Sequence, residues 1–269
     1  MSMRISSAQN PRIKFALSLQ KASVRNKEQL FLIEGLREIK LAVQAGFDFH
    51  ALFVCPEIIS KSQADSVIDG LTGQVQVTET SKEVFGRLAY RGESGGLLAV
   101  AHQKRIALED IRLGDVPLIL VTESIEKPGN IGAMLRTADA AGIDAVLICD
   151  GITDIFNPNV VRSSLGTLFT NQVVCCTSME AIKWLKTRGI RIYTTALTAS
   201  RPYHAADYTV PSAIVSGAEA TGVSAVWQES SDSNIIIPMF GRVDSMNVSV
   251  ATSVVLYEAL RQRGFYGRM

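Results

Sequence analysis

Three short polar segments in the second half of the chain carry the residues best suited to chemistry. They are E-K-P-G-N-I-G-A-M-L-R-T-A-D-A-A-G (126–142), I-V-S-G-A-E-A-T-G-V-S (214–224) and the D-S-M-N knuckle (244–247). Each lies at the end of a strand-like apolar run or at the start of a helix-like run. Ligands of open parallel sheets bind at the carboxyl ends of the strands. We therefore expect these segments to face a ligand.

The first segment places an amide and a guanidinium near the start of one helix. Asn130 is positioned to cap that helix by accepting from its free amides. Arg136 lies off the apolar stripe of the helix. It can form a surface pair with Asp139, worth about 0.3–0.5 kcal/mol. Alternatively, its guanidinium can face a phosphate or a developing oxyanion. Spacing alone leaves both interpretations open.

The second segment is a glycine-bearing turn with one carboxylate, Glu219. Its glycines allow a ligand to approach the backbone closely. The G-x-x-x-x-G spacing is similar to a phosphate loop, but Val223 stands where that loop needs Lys. No G-x-G-x-x-G occurs in the chain. Sites for nucleoside triphosphates and dinucleotides are therefore disfavoured, and Glu219 by itself can simply cap the turn.

The third segment sits between an apolar strand and an apolar final helix. Ser245 can cap that helix, but this does not explain why Asn247 and Ser249 follow so closely. Residues 248–260 carry few charges, so we expect the helix to be buried on most sides. Unpaired buried amides and hydroxyls cost about 1–3 kcal/mol each. Neighbouring loops or a bound ligand must therefore supply partners for this polar knuckle.

Strand-like and helix-like patterns alternate along the chain, which is typical of an α/β fold. In the first hundred residues we predict strands at 31–35, 51–56, 74–79 and 96–102, and helices at 12–20, 36–46, 57–69 and 81–90. Later strands are predicted at 117–123, 144–150, 172–177, 191–197, 213–219 and 234–240, and helices at 130–141, 157–169, 179–188 and 245–262. The later strands are apolar enough for a parallel sheet covered on both faces. The predicted organisation is a domain over 1–102, a linker over 103–115 and a parallel α/β domain over 116–269.

Charge and composition narrow the class of protein. Residues 1–40 hold eight Lys and Arg against three Asp and Glu, whereas the whole chain has a net charge of +1. This basic segment fits contact with a polyanion, although a solvated helix face explains it equally well. The four cysteines lack C-x-x-C spacing and the three histidines are scattered, so we expect buried free thiols and no metal. No apolar run suggests a membrane span or a secretion signal, and we expect a cytoplasmic protein.

Together, the three segments resemble a known family. The motifs N-I-G-A-M-L-R-T-A-D-A-A-G, S-G-A-E-x-x-G and I-P-M-x-G-x-x-x-S-M-N-V-S-V-A resemble, in order and spacing, those of the SpoU/TrmH RNA 2′-O-ribose methyltransferases. R-S-S-L-G-T-L-F (162–169) is similar to the middle segment of that family. N-P-R-I-K and F-L-I-E-G-L-R-E are similar to the ribosomal-protein-like α/β/α substrate-binding domain of many members. The resemblance covers nearly the whole chain.

The resemblance implies a fold and a set of site residues. It implies a deep trefoil knot in the C-terminal domain, which is a rare exception to ordinary connection rules. It also implies a homodimer through that domain and S-adenosylmethionine bound in the loops of the knot. The implied cofactor contacts, mainly through backbone, are Thr195, Gly217, Ile237, Met246 and Asn247. The implied active-site residues are Asn130, Arg136, Glu219, Ser245 and Asn247.

The implied activity is methylation of a ribose 2′-hydroxyl in RNA. Ribosomal RNA is the preferred substrate, with transfer RNA or a catalytically silent RNA-binding protein of the same fold as alternatives. The expected phosphate contacts are Arg4, Arg12, Lys14, Lys21, Arg25 and Lys27. The family assigns its arginine as general base, but a guanidinium stays protonated at neutral pH, so a cationic clamp is physically easier for Arg136. Ala220 replaces a frequent glycine of the second motif, which puts the geometry of that turn in question.

Overall fold

A computed structural model describes residues 4–89, 95–197 and 200–265. Its contacts divide the chain into two units. The first runs to Lys104 and includes Asp154–Thr170, and the second comprises Arg105–Thr153 and the chain from Asn171 onward. The segment 154–170 thus packs within the first unit, although it lies inside the predicted 116–269 domain. The predicted boundaries stay a prediction about where independently folding domains begin.

The predicted strands and helices occur in the predicted order, with additional short elements between them. The strands are β1 (Arg4–Ile5), β2 (Leu30–Glu34), β3 (Phe49–Val54), β4 (Gln76–Thr80), β5 (Leu97–His102), β6 (Leu118–Glu123), β7 (Ala145–Cys149), β8 (Val173–Cys176), β9 (Arg191–Thr195), β10 (Arg201–Pro202), β11 (Ser212–Ser216) and β12 (Ser233–Ile236). The helices are α1 (Pro11–Ser18), α2 (Ala22–Glu28), α3 (Leu36–Gln44), α4 (Lys61–Ile68), α5 (Lys82–Leu88), α6 (Pro128–Ala140), α7 (Pro158–Ser163), α8 (Thr167–Thr170), α9 (Ser178–Thr187), α10 (Ala225–Ser230) and α11 (Val248–Gln262). Short 3-10 helices cover Leu108–Asp110 and Tyr203–Ala205.

Several elements differ from the sequence-based prediction. The patterns did not predict α2, α10, β1 or β10, which are short. The helix predicted at 157–169 is broken into α7 and α8, because Leu165 and Gly166 both adopt positive φ, +51° and +89°. A helix cannot continue through left-handed residues.

The first unit contains a five-stranded mixed sheet in the order β1-β4-β3-β5-β2. Strands β1, β4 and β3 run parallel, and β5 pairs antiparallel with both β3 and β2. Fully buried Ile13 of α1 and Phe85 of α5 pack on this sheet with Leu32 and Val100. This apolar packing anchors α1, whose exposed face carries part of the basic segment.

The second unit contains a seven-stranded sheet in the order β10-β12-β9-β11-β6-β7-β8. All of its pairs are parallel, which confirms the predicted parallel sheet. Every residue of β6, β7 and β11 is buried, as expected for strands covered on both faces. Trp227 of α10 and Leu185 of α9 contribute to the core beside these strands.

The segment predicted as a linker is held to the second unit from Arg105 onward. Gln172 donates from Nε2 to Arg112 O at 2.8 Å and accepts from Arg112 N at 2.9 Å. The Asp144 carboxylate accepts from Gly114 N and Leu118 N, both at 2.8 Å. These bonds fix residues 112–118 against the sheet and set the start of β6.

Two expectations about burial are wrong. Cys175 is exposed, not buried, although Cys55 and Cys149 are buried free thiols as predicted. Helix α11 is not covered on most sides, because Val250 is 50% exposed and Tyr257 is 46% exposed. Among the described residues, no helix is both long enough and apolar enough to span a bilayer.

Candidate active site

Three of the predicted site residues meet in one hydrogen-bonded cluster. Asn247 donates from Nδ2 to Asn130 Oδ1 at 3.2 Å across 117 residues of chain. Asn130 in turn donates from Nδ2 to a carboxylate oxygen of Glu219, which lies 89 residues away. Each residue comes from a different polar segment, so the fold brings all three segments together.

Helix α6 supplies Asn130 from within its first turn. The helix begins earlier than predicted, because Pro128 occupies its first turn, after Lys127 at the N-cap. Proline suits this position since its missing amide would have no intrahelical partner there. The expectation that Asn130 caps the helix is therefore wrong. Its side chain, 9% exposed, instead points to Glu219 and Asn247.

A tight turn after β11 supplies Glu219. Gly217 approaches Gly222 so closely that a Cβ at position 217 would lie 2.2 Å from Gly222 O, which only glycine avoids. Gly222 has φ +68° and donates from N to Ala218 O at 2.9 Å. Ala220 does not adopt a positive φ. The alanine that replaces a family glycine is therefore accommodated without backbone strain.

The Glu219 carboxylate is held in its ionised form. Partial burial alone would raise its pKa. Hydrogen bonds from its own backbone, from the Asn130 amide and from the backbone of Glu126, together with the nearby Lys127, outweigh burial and lower the pKa below its ordinary value. Glu219 is therefore an acceptor that fixes the orientation of the Asn130 amide.

Asn247 both caps α11 and joins the cluster. Its Oδ1 accepts from Ser249 N at 3.0 Å and from Ser249 Oγ at 2.6 Å, while its Nδ2 reaches Asn130. The cap expected of Ser245 is therefore wrong. Ser245 is exposed and donates to its neighbour Asp244 at 3.2 Å. The structure does not bring Ser245 into the cluster.

Arg136 is exposed on α6, six residues beyond Asn130. At 1.5 Å per residue, this places it about 9 Å further along the helix axis. Its guanidinium makes no ion pair with Asp139 or with any other residue of the described ranges. The hydroxyl oxygen of the next residue, Thr137 Oγ1, is 2.9 Å from Ser253 Oγ of α11. Arg136 therefore lies beside the packed seam between α6 and α11, with its charge available.

The predicted cofactor residues lie at one edge of the sheet. Thr195 ends β9, Gly217 follows β11 and Ile237 follows β12. Because β12, β9 and β11 are neighbouring parallel strands, their carboxyl ends meet at the same edge. Thr195 Oγ1 donates to Val215 O at 2.9 Å, which ties two of these strand ends together. Glu219 lies two residues beyond Gly217, so the cluster adjoins this edge.

The chain near this edge offers groups that fit S-adenosylmethionine. Residues 237–246 make no backbone–backbone hydrogen bond to the described part of the chain, so their amides and carbonyls are open to a ligand. Ile237 and Met246 are half-buried apolar side chains at the two ends of this segment. Open backbone groups suit a nucleoside and amino-acid ligand, and an anionic Glu219 nearby suits its positive sulfonium. The described residues contain no cluster of His, Cys, Asp or Glu that would hold a metal.

The predicted phosphate contacts of the first unit have different surroundings. Lys14, Lys21 and Lys27 are exposed. Arg12 is half-buried and donates to Thr78 Oγ1 at 3.5 Å, and Arg4 pairs with Glu57.

Arg25 is not at the surface. Its side chain is 1% exposed and donates to Asp154 at 2.9 Å and to Leu19 O and Gln20 O. A buried, fully paired guanidinium cannot meet a phosphate without breaking these bonds. No local sequence pattern indicates this burial, because the Asp154 partner is 129 residues distant.

Glu123, a buried carboxylate at the end of β6, is absent from the predicted site residues. The available signal was a single charged residue that closes an otherwise apolar strand, at the same sheet edge as the three polar segments.

Comparisons with known proteins identify the family of this chain. The SpoU rRNA Methylase family model matches residues 117–257, which are 141 of the 269 residues, and the MRM3-like substrate binding domain model matches residues 10–99. The 23S rRNA (guanosine(2553)-2′-O)-methyltransferase RlmP of Bacillus subtilis (strain 168) is 32% identical over 254 residues, covering 94% of this chain and 98% of that protein.

Two solved structures share the fold over almost their full length. A crystal structure of an RNA 2′-O ribose methyltransferase has a TM-score of 0.84 and 38% identity, covering 97% of this chain and 99% of that one. The AdoMet-bound rRNA methyltransferase from Sinorhizobium meliloti has a TM-score of 0.88 and 26% identity, covering 97% and 98%. The resemblance of the three motifs is thereby confirmed, and the chain belongs to the SpoU rRNA methylase family.

Proposed function

We propose that this protein transfers the methyl group of S-adenosylmethionine to a ribose 2′-hydroxyl of ribosomal RNA. The observation that carries the proposal is the Asn247–Asn130–Glu219 cluster beside the carboxyl ends of β9, β11 and β12. The names of the relatives support ribosomal RNA over transfer RNA, since RlmP and several RlmB proteins are named for 23S rRNA.

The residues around the sheet edge hold the cofactor. Thr195, Gly217, Ile237 and Met246 bind it mainly through backbone groups of the loops that follow three neighbouring strands. When bound, S-adenosylmethionine supplies an electrophilic methyl group on a sulfonium. Glu219 fixes the Asn130 amide, and Asn130 fixes Asn247, so the side chains that meet the ligand are oriented before it binds. Such preorganisation avoids a reorganisation cost during the reaction.

Arg136 meets the ribose oxygen as a cation. A ribose hydroxyl must lose its proton to become a good nucleophile, and the developing alkoxide needs a nearby positive charge. A guanidinium keeps its proton at neutral pH, and a neighbouring phosphate anion favours that charged form. The alternative, in which Arg136 is the general base, requires a deprotonated guanidinium. We therefore assign Arg136 as a clamp on alkoxide and phosphate, with the proton leaving to water or phosphate.

The first unit holds the RNA backbone. Lys14, Lys21 and Lys27 are exposed on or beside α1 and α2, and their ammonium groups are suited to phosphate contacts. Lys27, Arg12 and Arg4 are secondary candidates because each already has a protein partner, which for Lys27 is Glu28 at 3.4 Å. Arg25 is left out because it is buried. Phosphate contacts give affinity and orientation but carry no sequence information.

Two features of the family fold are part of the proposal. We propose that the protein is a homodimer through its second unit, supported by the exposed apolar Val250 and Tyr257 of α11 beside α6. We also propose that the chain is knotted in the region of β9 to α11. The insertion of β11 between β9 and β6, and of β9 between β12 and β11, is compatible with such a path.

Methyl transfer to purified RNA tests the proposed function. Purified protein is incubated with tritiated S-adenosylmethionine and either unmethylated ribosomal RNA or transfer RNA, and ribose methylation is mapped by nucleoside mass spectrometry. We expect methyl incorporation into ribosomal RNA, absent with Arg136→Ala. Incorporation only into transfer RNA would redirect the proposal to that substrate. Absence of incorporation, together with absence of S-adenosylmethionine binding by calorimetry at micromolar concentration, would favour a silent RNA-binding protein.

A further inference from the structure

Glu123 is a buried carboxylate for which the mechanism above has no role. It is the last residue of β6 and is 5% exposed. One oxygen accepts from Ser224 N at 2.7 Å, and the other accepts from Ser224 Oγ at 2.6 Å and Ser178 Oγ at 3.2 Å. Ser178 Oγ also accepts from Trp227 Nε1 at 2.8 Å. Two branches thus leave this carboxylate, one to Ser224 and one to Ser178.

A buried carboxylate without a cation is costly. Glu123 forms no ion pair with any residue of the described ranges. Removing an ion from water costs free energy, which hydrogen bonds only partly offset. An apolar residue at this strand end would avoid that cost, so stability of the core does not account for the carboxylate. The presence of the carboxylate is better explained by its effect on the adjoining 217–222 turn.

The turn that carries Glu219 is fixed on both sides by side-chain hydrogen bonds. On the leading side, Ser216 Oγ is 2.9 Å from Thr252 Oγ1 of α11. On the trailing side, Ser224 is held by Glu123 through both its amide and its hydroxyl. Ser224 is the N-cap residue of α10, but its side chain does not cap the helix. Its hydroxyl serves Glu123 instead.

We propose that Glu123 is a positioning residue for methyl transfer, which holds Ser224 and thereby keeps the 217–222 turn in the conformation that brings Glu219 to Asn130. The inference rests on the proposed function for its catalytic consequence. Its structural part, the control of the turn, is independent of that function. The Ser178 branch reaches α9 and, through Trp227, the middle of α10, but it makes no bond to Ser224 or to the turn itself. We therefore expect its loss to affect stability more than the position of Glu219.

Matched serine substitutions separate the two branches. Ser224→Ala and Ser178→Ala each remove one hydroxyl donor to the same carboxylate. Glu123→Gln retains the shape of the side chain, but its amide NH₂ group cannot accept a hydrogen bond from the donors that now surround the carboxylate. We expect Glu123→Gln and Ser224→Ala to lower kcat by about 10-fold or more and to raise KM for S-adenosylmethionine, because Gly217 of the same turn is a proposed cofactor contact. KM for RNA is expected to stay within about twofold, since the turn makes no proposed contact with the RNA backbone. Ser178→Ala keeps kcat within about twofold even where it lowers the unfolding midpoint.

Two further readouts test the same contact. Since Glu123→Gln and Ser224→Ala break one interaction, their effects on kcat in the double variant are expected to be clearly less than additive. Amide hydrogen exchange at Gly222, whose N–H closes the turn on Ala218 O, is expected to be at least about tenfold faster in both variants and unchanged in Ser178→Ala.

The exchange readout keeps the inference separate from the proposed function. If the wild type transfers no methyl group, the proposed function fails, and exchange at Gly222 still decides whether Glu123 controls the turn. Equal effects of Ser178→Ala and Ser224→Ala on kcat and exchange would overturn the inference. Wild-type exchange at Gly222 in Glu123→Gln would overturn it as well.

Discussion

Asn247 donates to Asn130 at 3.2 Å and so joins the first turn of α6 to the N-cap of α11. Asn130 in turn donates to the Glu219 carboxylate, which therefore orients the Asn130 amide directly and the Asn247 amide through Asn130. Burial raises the pKa of Glu219, but its hydrogen bonds, including the one from Asn130, lower that pKa below its ordinary value.

The cluster predicts that the charge of Glu219, and not only its shape, matters for catalysis. Glu219→Gln removes an anionic acceptor and allows the Asn130 amide group to rotate by about 180°, which exchanges its oxygen and nitrogen. We expect kcat to fall by about 10²-fold, in the range seen when one preorganised polar group is lost. Initial rates with saturating RNA and cofactor measure this. Glu229→Gln, an exposed glutamate on α10, is the matched control. A Glu219→Gln enzyme with wild-type kcat would contradict the assignment.

The pKa of Glu219 gives a prediction about pH. A carboxyl group with a lowered folded pKa contributes stability that is complete above its ordinary value of 4.5 and is lost as the pH falls through the lower folded value. Asn130→Ala removes one of the hydrogen bonds that lower this pKa. We therefore expect the carbon-13 carboxyl signal of Glu219 to titrate at higher pH in that variant than in the wild type. An unchanged titration would mean that Asn130 does not donate to Glu219 in solution.

Arg136 is predicted to be the most sensitive side chain of the site. Arg136→Ala removes the cation that faces the developing alkoxide, and we expect a loss of about 10²–10³-fold in kcat. Arg136→Lys keeps the positive charge but loses the planar guanidinium, so its kcat is expected to lie between those of Arg136→Ala and the wild type. Folding is expected to be unaffected, because the guanidinium makes no ion pair with a described residue.

A matched arginine makes the Arg136 prediction specific. Arg188, exposed at the end of α9, has its guanidinium 4.4 Å from the centre of the Trp184 ring and lies just before the amino end of β9, whereas the cluster adjoins the carboxyl ends of the strands. Arg188→Ala is expected to retain the wild-type kcat. A similar loss of kcat in both variants would show that the effect is not local to the site.

The sequence predicted the strands and the three polar segments well, because apolar runs and glycine-bearing turns are local signals. It did not predict the helix starts correctly at the site. Pro128 begins α6 ahead of Asn130, and Asn247 takes the cap expected of Ser245. Asn130 could cap a helix but bonds to Glu219 and Asn247 instead, and Ser245 could cap α11 but Asn247 does so. No local sequence pattern indicates which of these partners a polar side chain will choose.

Charge patterns were the least reliable guide. Arg25 belongs to the basic segment by composition, yet it is buried against Asp154. Glu123 was predicted only as the last residue of a strand, yet its carboxylate accepts a hydrogen bond from Ser224 N, 101 residues away in sequence. Both interactions depend on residues that are distant in sequence, and the number of charges in a segment cannot separate a buried paired ion from an exposed one.

The exposed lysines of the first unit predict a salt-dependent affinity for RNA. Replacing Lys14, Lys21 and Lys27 together by Ala is expected to weaken RNA binding and to reduce the slope of log K against log salt by about 0.7–0.9 for each phosphate that these lysines neutralise. Filter binding at several salt concentrations measures the slope. Lys61→Ala, an exposed lysine of α4 in the same unit, is the control. An unchanged slope in the triple variant would exclude these lysines from the RNA interface.

Two arginines at the carboxyl end of α11 are expected to differ strongly in their contribution to the stability of the protein. Arg263 donates to Tyr208 O at 2.7 Å, Val116 O at 2.7 Å, Val210 O at 2.8 Å and Pro117 O at 3.2 Å. Arg261, by contrast, is 61% exposed and pairs only with Glu258 among the described residues. One side chain therefore satisfies four backbone carbonyls, whereas the other forms a surface pair.

Arg263→Met removes those four hydrogen bonds while keeping much of the aliphatic stem. We expect it to lower the free energy of unfolding by about 2–4 kcal/mol, because part-buried carbonyls lose charged donors. Arg261→Ala is expected to cost less than about 1 kcal/mol, as is usual for an exposed pair. Denaturant unfolding at fixed protein concentration measures both. Since α11 begins directly after Asn247, the Arg263 variant is also expected to lose activity at lower temperature than the wild type. Equal stability of the two variants would show that Arg263 does not anchor the helix.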